Sequence, residues 1–273
     1  MRIAIQGEKG SFHHSAVINR YGNNVDIVPC DTFKEVFKAI KSNKADSGVV
    51  AIENSIYGSI NEVYDLLLKY KIPIVGEIPM RIHQCLIGID KSINYGSVTH
   101  VYSHPVALAQ CGAFLDQHLP TAERIENTDT AGSVELIKKL GNPNYLAIAS
   151  SLASEIFVCQ VIESVIEDHN TNYTRFLAIE PAGVVPKNAD KVSIVLKTNH
   201  QPGALYAALG VFAKAGINLS KLQSRPVPGK VWRYMFYIDI EMNKSNISSL
   251  TEQLKNLNCD VTVLGLYKSA TKS

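Results

Sequence analysis

The sequence predicts an α/β chain in two parts: open sheets over residues 1–181, then a smaller α+β unit over residues 190–268. Three observations lead there. Short apolar runs alternate with segments of helical periodicity from the N-terminus onward. Glu180–Asp190, with two prolines and a glycine, interrupts that alternation and reads as a linker. Beyond it the pattern becomes strand, helix, strand, strand, helix, strand. At 273 residues the chain exceeds what one small core organises.

Arg2–Gln6 is a strand and Phe12–Tyr21 the helix after it. Ile27-Val28 lead to a second helix in which Phe33, Val36, Phe37 and Ile40 recur at helical spacing, with Thr32 and Glu35 placed as a capping box. Gly48–Ile52 is all apolar, as a strand covered on both faces is. Asn61–Tyr70 carries Val63, Leu66 and Leu67 as a helical inner stripe. Val98–Tyr102 and Tyr145–Ala149 as strands, with Pro105–Phe114, Asp129–Leu140 and Ser151–Phe157 as helices, continue the alternation and favour mostly parallel sheets.

After the linker, Val192–Thr198 is a strand and Gly203–Ala215 a helix with Leu205, Leu209 and Phe212 on one face. Ile217–Arg225 and Trp232–Met242 are strands, the second alternating Tyr234, Phe236, Ile238 and Ile240. Ser245–Asn256 is a helix, and Val261–Tyr267 closes a βαββαβ set, the order of a ferredoxin-like fold. Such a unit leaves one sheet face and two edges open, which favours pairing with a second copy.

Twenty-seven basic and 25 acidic side chains leave a net charge of +2 with no lysine or arginine run. That argues against a nucleic-acid partner or a polybasic membrane role, so an anionic ligand must be held by local groups. No stretch has the roughly 18 apolar residues of a membrane helix, and no signal stretch opens the chain. The five cysteines are odd in number and lack C-x-x-C spacing, so they read as free thiols of a reducing compartment, the cytoplasm.

Ligands of open α/β sheets bind where strands end and helices begin. Small hydroxyl or amide residues stand at five such junctions: Gly10-Ser11, Asn54-Ser55, Ser103-His104-Pro105, Thr128-Asp129-Thr130 and Ser150-Ser151. Each alone is an ordinary N-cap; together they can line a cleft for a multiply anionic small molecule. The Gly7–Ser11 loop lacks the three-glycine spacing of a dinucleotide fingerprint. His100 and His104 are four apart, but His100 lies on the strand Val98–Tyr102, so the two share no helical face; His13 and His14 are adjacent, and no metal is expected. Thr174-Arg175 stands where a polar stretch enters the apolar strand Phe176–Ile179. A guanidinium there can grip a carboxylate while the hydroxyl donates to a neighbouring oxygen, although a surface arginine after a turn has the same local sequence.

Asn172-Tyr173-Thr174-Arg175-Phe176 matches the N-x-T-R-F signature of prephenate dehydratases. Gly7–Phe12, Glu53–Gly58, Ser103–Gln110 and Asp129–Gly132 resemble that family's other blocks, in its order. Gly203-Ala204-Leu205-Tyr206 and Gln223-Ser224-Arg225-Pro226 are similar to the G-A-L and E-S-R-P motifs of the ACT regulatory domain. The resemblance implies two lobes like those of type II periplasmic binding proteins, with the site in their cleft. It implies loss of carbon dioxide and the ring hydroxyl from prephenate to give phenylpyruvate. Aromatisation drives that reaction, so no cofactor and no metal are implied.

By the same resemblance Asn172, Thr174, Arg175 and Phe176 are the catalytic positions, and Ser11, Asn54, Ser55, Ser103, His104, Thr130, Ala131 and Ser150 the substrate-binding ones. Glu53 and His104 both stand open as ultimate proton donor. Phenylalanine as effector would meet Gly203, Ala204, Leu205, Gln223 and Arg225 at the seam of a homodimer or homotetramer, with Asn218, Leu219 and Ser220 of the partner chain closing the site. Val106 departs from the family's usual Gln, Asp129 from its frequent Ser, and Gln223 from the regulatory Glu, losing a charge. No helical mutase domain precedes residue 1, so chorismate mutase activity is not expected. The rivals are an arogenate dehydratase and a non-catalytic sensor of the same architecture; the intact Thr174-Arg175-Phe176 weighs against the sensor.

Overall fold

The structure is a computed structural model that describes residues 1–242 and 246–270. It divides into two compact units, Met1–Ile60 with Ile78–Phe176 and Asn61–Glu77 with Leu177–Ser273.

The chain begins with β1 (Arg2–Gln6), α1 (Phe12–Tyr21), β2 (Asp26–Cys30), α2 (Phe33–Lys41), β3 (Ser47–Asn54) and the two-residue strand β4 (Gly58–Ser59). β1 runs parallel to both β2 and β3. Ile3–Ile5 and Val49–Ile52 are buried without alternation, as in strands covered on both faces. Thr32 caps α2 by accepting from the Glu35 N–H, while the Glu35 carboxylate accepts from the Asp31 N–H (3.0 Å) rather than from that of Thr32. The capping box therefore closes one residue early.

α3 (Asn61–Tyr70) and β5 (Ile74–Arg81) follow. Then come β6 (Cys85–Gly88), a 3₁₀ turn at Tyr95–Ser97, β7 (His100–Ser103), α4 (Pro105–Gln110), α5 (Gly112–His118), β8 (Glu123–Glu126), α6 (Thr130–Leu140), β9 (Tyr145–Ala149), α7 (Ser151–Ile156) and β10 (Gln160–Ser164). Their strands form one sheet, ordered β10-β6-β9-β7-β8. It is mixed rather than mostly parallel: β6 opposes β9 and β10, and β7 runs with β8 and β9. β11 (Tyr173–Ile179) returns beside β3. The helix expected over Pro105–Phe114 breaks at Cys111, which supplies no side-chain cap. The Asp168 carboxylate accepts from the Ala113 N–H (3.1 and 3.2 Å) and lets α5 start afresh.

The second unit holds β12 (Lys191–Lys197), α8 (Ala204–Lys214), β13 (Asn218–Pro226), β14 (Tyr234–Glu241), α9 (Ile247–Asn256) and β15 (Asp260–Tyr267), the predicted βαββαβ order. Ser245, expected to open the last helix, lies outside the described residues. The strands pair antiparallel in the order β13-β14-β12-β15. α8 and α9 cover one face, packing Phe212 and Leu254 on Ile194, Leu196 and Ile238.

The opposite face is not open, contrary to expectation. Tyr237 there is 2% exposed and donates its hydroxyl to the Tyr64 carbonyl of α3 at 2.9 Å. Lys191 pairs with Glu77 at 2.8 Å, both side chains buried, and Ser193 bonds Asp239 and Tyr267. The β15 edge is occupied as well, since Gly265 pairs with Ile74 of β5. A Cβ on Gly265 would lie 2.3 Å from the Ile74 oxygen, so this approach requires glycine. Of the two expected edges, β13 alone ends the sheet among the described residues.

Candidate active site

Two strand ends come together first. β3 finishes at Glu53-Asn54, and β11 starts beside it at Tyr173-Thr174-Arg175. The turn after β3 is stitched to β11: the Ser55 N–H donates to the Tyr173 carbonyl (2.8 Å), the Ser55 hydroxyl to the Thr171 carbonyl (2.7 Å), and the Tyr173 N–H to Ser55 Oγ (2.9 Å). Asn54 Nδ2 then donates to Asn172 Oδ1 (2.8 Å) and Thr174 Oγ1 (3.0 Å), while Asn54 Oδ1 accepts from the Ile56 and Tyr57 N–H groups, both at 3.0 Å. A side-chain amide has two donor hydrogens and two lone pairs. Asn54 is therefore saturated inside the protein. Because Thr174 Oγ1 accepts from Asn54, its own proton is directed elsewhere.

Asn172 is 1% exposed, and its Nδ2 meets no acceptor among the described residues. Such a buried donor is costly unless something accepts from it. Arg175 Nε donates to Glu53 Oε1 at 2.6 Å, which fixes the plane of the guanidinium. Phe176 turns into the core and meets His13 edge-on at 5.0 Å; it supports the site rather than lining it. His13 Nε2 accepts from the Ala51 N–H (3.2 Å), tying α1 to β3, and burial drops its pKa to about 3.

A second group gathers at helix starts. A Cβ on Gly10 (φ +92°) would sit 2.9 Å from Ala153 Cα, so glycine lets the Gly7–Ser11 loop meet the start of α7. Ser150 caps α7 through the Ala153 N–H and donates to the Gly10 carbonyl (2.6 Å). Ser11 caps α1 through the His14 N–H, and His14 Nδ1 accepts from the Gly10 N–H. Asp129 caps α6 through the Gly132 N–H, leaving Thr130 and Ala131 at the helix start, where N–H groups lack intrahelical acceptors. His104 caps α4: its Nδ1 accepts from the Val106 N–H, so the neutral ring carries its proton on Nε2. Burial lowers the His104 pKa, against the opposing pull of Asp129 and Glu126. Burial raises that of Glu8, with Asp129 adding to it. Glu8, inside the Gly7–Phe12 block, and His14, weighed only as a metal ligand, were not singled out as site residues in the sequence.

The predicted substrate residues thus fall into three places. Ser11, His104, Thr130, Ala131 and Ser150 stand at helix starts, and Asn54 and Ser55 hold the turn between β3 and β11. Ser103 is fully buried and donates to the Ile148 carbonyl (2.6 Å) across the sheet. Among the described residues no group of three or more His, Cys, Asp or Glu side chains is placed to hold a metal, and no helix is long and apolar enough to cross a membrane.

In the second unit, Gly203 adopts φ +78° as N-cap of α8. A cavity of about 480 Å³ opens there, lined by Ala204, Leu205, His200, Arg233, Tyr234 and Phe236. Arg233 had no motif to mark it. Leu219 packs against the core beneath α8, Ser220 donates to the Asp239 carbonyl, Gln223 Nε2 donates to the Ser224 carbonyl, and Asn218 is exposed at the start of β13. Arg225 is engaged elsewhere: its Nε and terminal nitrogen hold the Asp65 carboxylate of α3 at 3.3 and 2.5 Å.

The family model for prephenate dehydratase matches residues 3–183, and that for the ACT domain residues 192–259. A bifunctional chorismate mutase/prephenate dehydratase of Aquifex aeolicus is 37% identical over 272 residues, 99% of this chain and 74% of that one. The crystal structure of a prephenate dehydratase from Arthrobacter aurescens in complex with L-Phe is 26% identical, with a TM-score of 0.90 over 100% of this chain and 92% of that one. A structure described as a quorum-quenching acylase, GqqA, is 29% identical, with a TM-score of 0.88 over 99% of this chain and 98% of that one.

Proposed function

Since the chain belongs to the prephenate dehydratase family and carries an ACT domain after the dehydratase region, we propose that it converts prephenate to phenylpyruvate in aromatic amino-acid biosynthesis under feedback by phenylalanine. The catalytic region is residues 1–181 and the regulatory region 190–268, acting as a homodimer or homotetramer in the cytoplasm. A shared fold hosts different activities, as the likeness to a described acylase illustrates. The chemistry must therefore be argued from the site.

The observation that carries the reading is the saturated Asn54. By donating to Thr174 Oγ1 it turns the Thr174 proton outward, which suits a reaction whose difficult event is departure of hydroxide from a ring carbon. As the ring carboxylate leaves as carbon dioxide, its electron pair enters the ring and the C–O bond breaks. Charge grows on the departing oxygen, where the Thr174 hydrogen bond strengthens. Arg175, oriented by Glu53, takes the side-chain carboxylate, which stays charged throughout. The ring carboxylate ends as a neutral gas, so a strong cation there would favour the ground state. The N–H groups of Thr130 and Ala131 and the neutral His104 supply further donors.

The test is to follow product from prephenate and, separately, from arogenate. Turnover of prephenate supports the reading; preference for arogenate would make the chain an arogenate dehydratase, and binding without turnover of either would make it a sensor. Phenylalanine is assigned to the cavity at the start of α8, where the helix N-terminus and Arg233 suit a carboxylate and Leu205 and Phe236 an aromatic ring.

A further inference from the structure

The effector region and the reaction site are joined by a continuous path of bonds that runs through α3. Two consecutive residues of that helix face the sheet. The Asp65 carboxylate receives two hydrogen bonds from Arg225 of β13. The Tyr64 carbonyl accepts from the Tyr237 hydroxyl of β14, and the two tyrosine rings meet edge-on at 4.8 Å. Gln223 and Arg225 lie opposite Tyr237 and Met235 in the β13–β14 register, on the face turned to α3. The cavity at the start of α8 is bordered by Tyr234 and Phe236 of the same β14 strand.

At its other end α3 begins one residue after Ile60, whose N–H donates to the Ile52 carbonyl. Just before that, β4 pairs Ser59 with Glu53 and Gly58 with Asn54. Glu53 and Asn54 are the side chains that orient Arg175 and Thr174. α3 is therefore continuous in the chain, through Ile60, with the segment that sets both groups.

We propose that Arg225 is a positioning residue rather than a contact to phenylalanine: the Arg225–Asp65 pair is the coupling through which an effector at the ACT domain acts on the Glu53-Asn54 turn. The inference rests on the effector reading above. A two-nitrogen arginine–carboxylate contact has a defined geometry, so it transmits displacement of a strand better than a flexible single contact does. Tyr237 adds an apolar lever beside it. Coupling of this kind is reciprocal, so prephenate must alter phenylalanine affinity by the same factor as the reverse.

The experiment uses the full chain and three variants: Asp65→Asn, Arg225→Gln and the exchanged pair Asp65→Arg/Arg225→Asp. Phenylalanine binding is measured by calorimetry, and inhibition as the ratio of prephenate turnover with and without saturating phenylalanine, so that any change in basal rate divides out. Both single variants are expected to bind phenylalanine within about threefold of wild type while losing most of the inhibition, and the exchanged pair to regain part of it. Full inhibition in both single variants would overturn the coupling while leaving the effector reading intact. Loss of phenylalanine binding in Arg225→Gln but not in Asp65→Asn would return Arg225 to the ligand. Wild-type protein that binds no phenylalanine would overturn the effector reading, and the coupling with it.

Discussion

A threonine hydroxyl is a weak acid, and what makes Thr174 useful is where its proton is left to point. Asn54 supplies the hydrogen bond that Thr174 accepts, while two backbone N–H groups hold the Asn54 oxygen. Thr174→Val keeps the shape and removes the donor; kcat for prephenate should fall by about 10²–10⁴ with the melting temperature little changed. Near-normal turnover would remove Thr174 from the mechanism. His13 makes a prediction about acid. Its folded pKa is about 3 against an ordinary 6.5, so between those values the unfolded chain binds a proton that the folded chain refuses. Stability should therefore fall as pH drops from 6.5 toward 3, by up to about 1.4 kcal/mol per pH unit from this group. His13→Gln offers an acceptor without the titration. Urea unfolding at a series of pH values should show a shallower slope in that window, and an unchanged slope would rule His13 out as the cause.

At the scale of elements, the buried Lys191–Glu77 pair joins β12 to β5. Lys191→Met removes the cation and leaves a carboxylate, its side chain 1% exposed, to neutral donors such as the Ser269 hydroxyl and the Ala270 N–H. Thermal or urea unfolding should register a loss of about 3–5 kcal/mol, while the double replacement Lys191→Met/Glu77→Leu should recover most of it. A single variant as stable as wild type would mean that neutral donors such as Ser269 and the Ala270 N–H suffice to hold the charge. Neither residue belongs to a motif, and this marks the limit of what the sequence discloses. Helices such as Phe12–Tyr21 and Asn61–Tyr70, and the βαββαβ order, were legible because their periodicity is local. β8 and β10 were not, because as sheet edges they are polar: Glu123-Arg124-Ile125-Glu126 carries three charges in four residues. β5 was hidden by Gly76 and Pro79. In the site, Thr174, Arg175 and Asn54 were marked by motif order. The bonds that define their roles span 118 to 122 residues and leave no trace in spacing. Arg225 stood in a motif, but its bond to Asp65, 160 residues away, was hidden for the same reason.

For the whole molecule, the linker at Glu180–Asp190 looks like the natural place to cut, and the contacts of α3 say otherwise. A chain ending at residue 186 loses Tyr237 from beside Tyr64, Arg225 from Asp65, Lys191 from Glu77 and β15 from Ile74. Calorimetric melting of that truncation should lie lower than wild type by about 10 °C or more, with aggregation through the bared edge of β5. A truncation as stable as the parent would show that these contacts are dispensable. The reason lies in the chain's path, which crosses between the units after Ile60, Glu77 and Phe176. A single protease nick in the linker falls inside the second unit, cuts none of these three crossings and cannot release the units as separate fragments. Gene fusion meets the same obstacle. A foreign regulatory module spliced on at the linker would arrive without the helix and half-strand that its native counterpart shares with the first part of the chain. A working chimera has to exchange Asn61–Glu77 together with the C-terminal segment, although all of Ile78–Phe176 separates them in sequence.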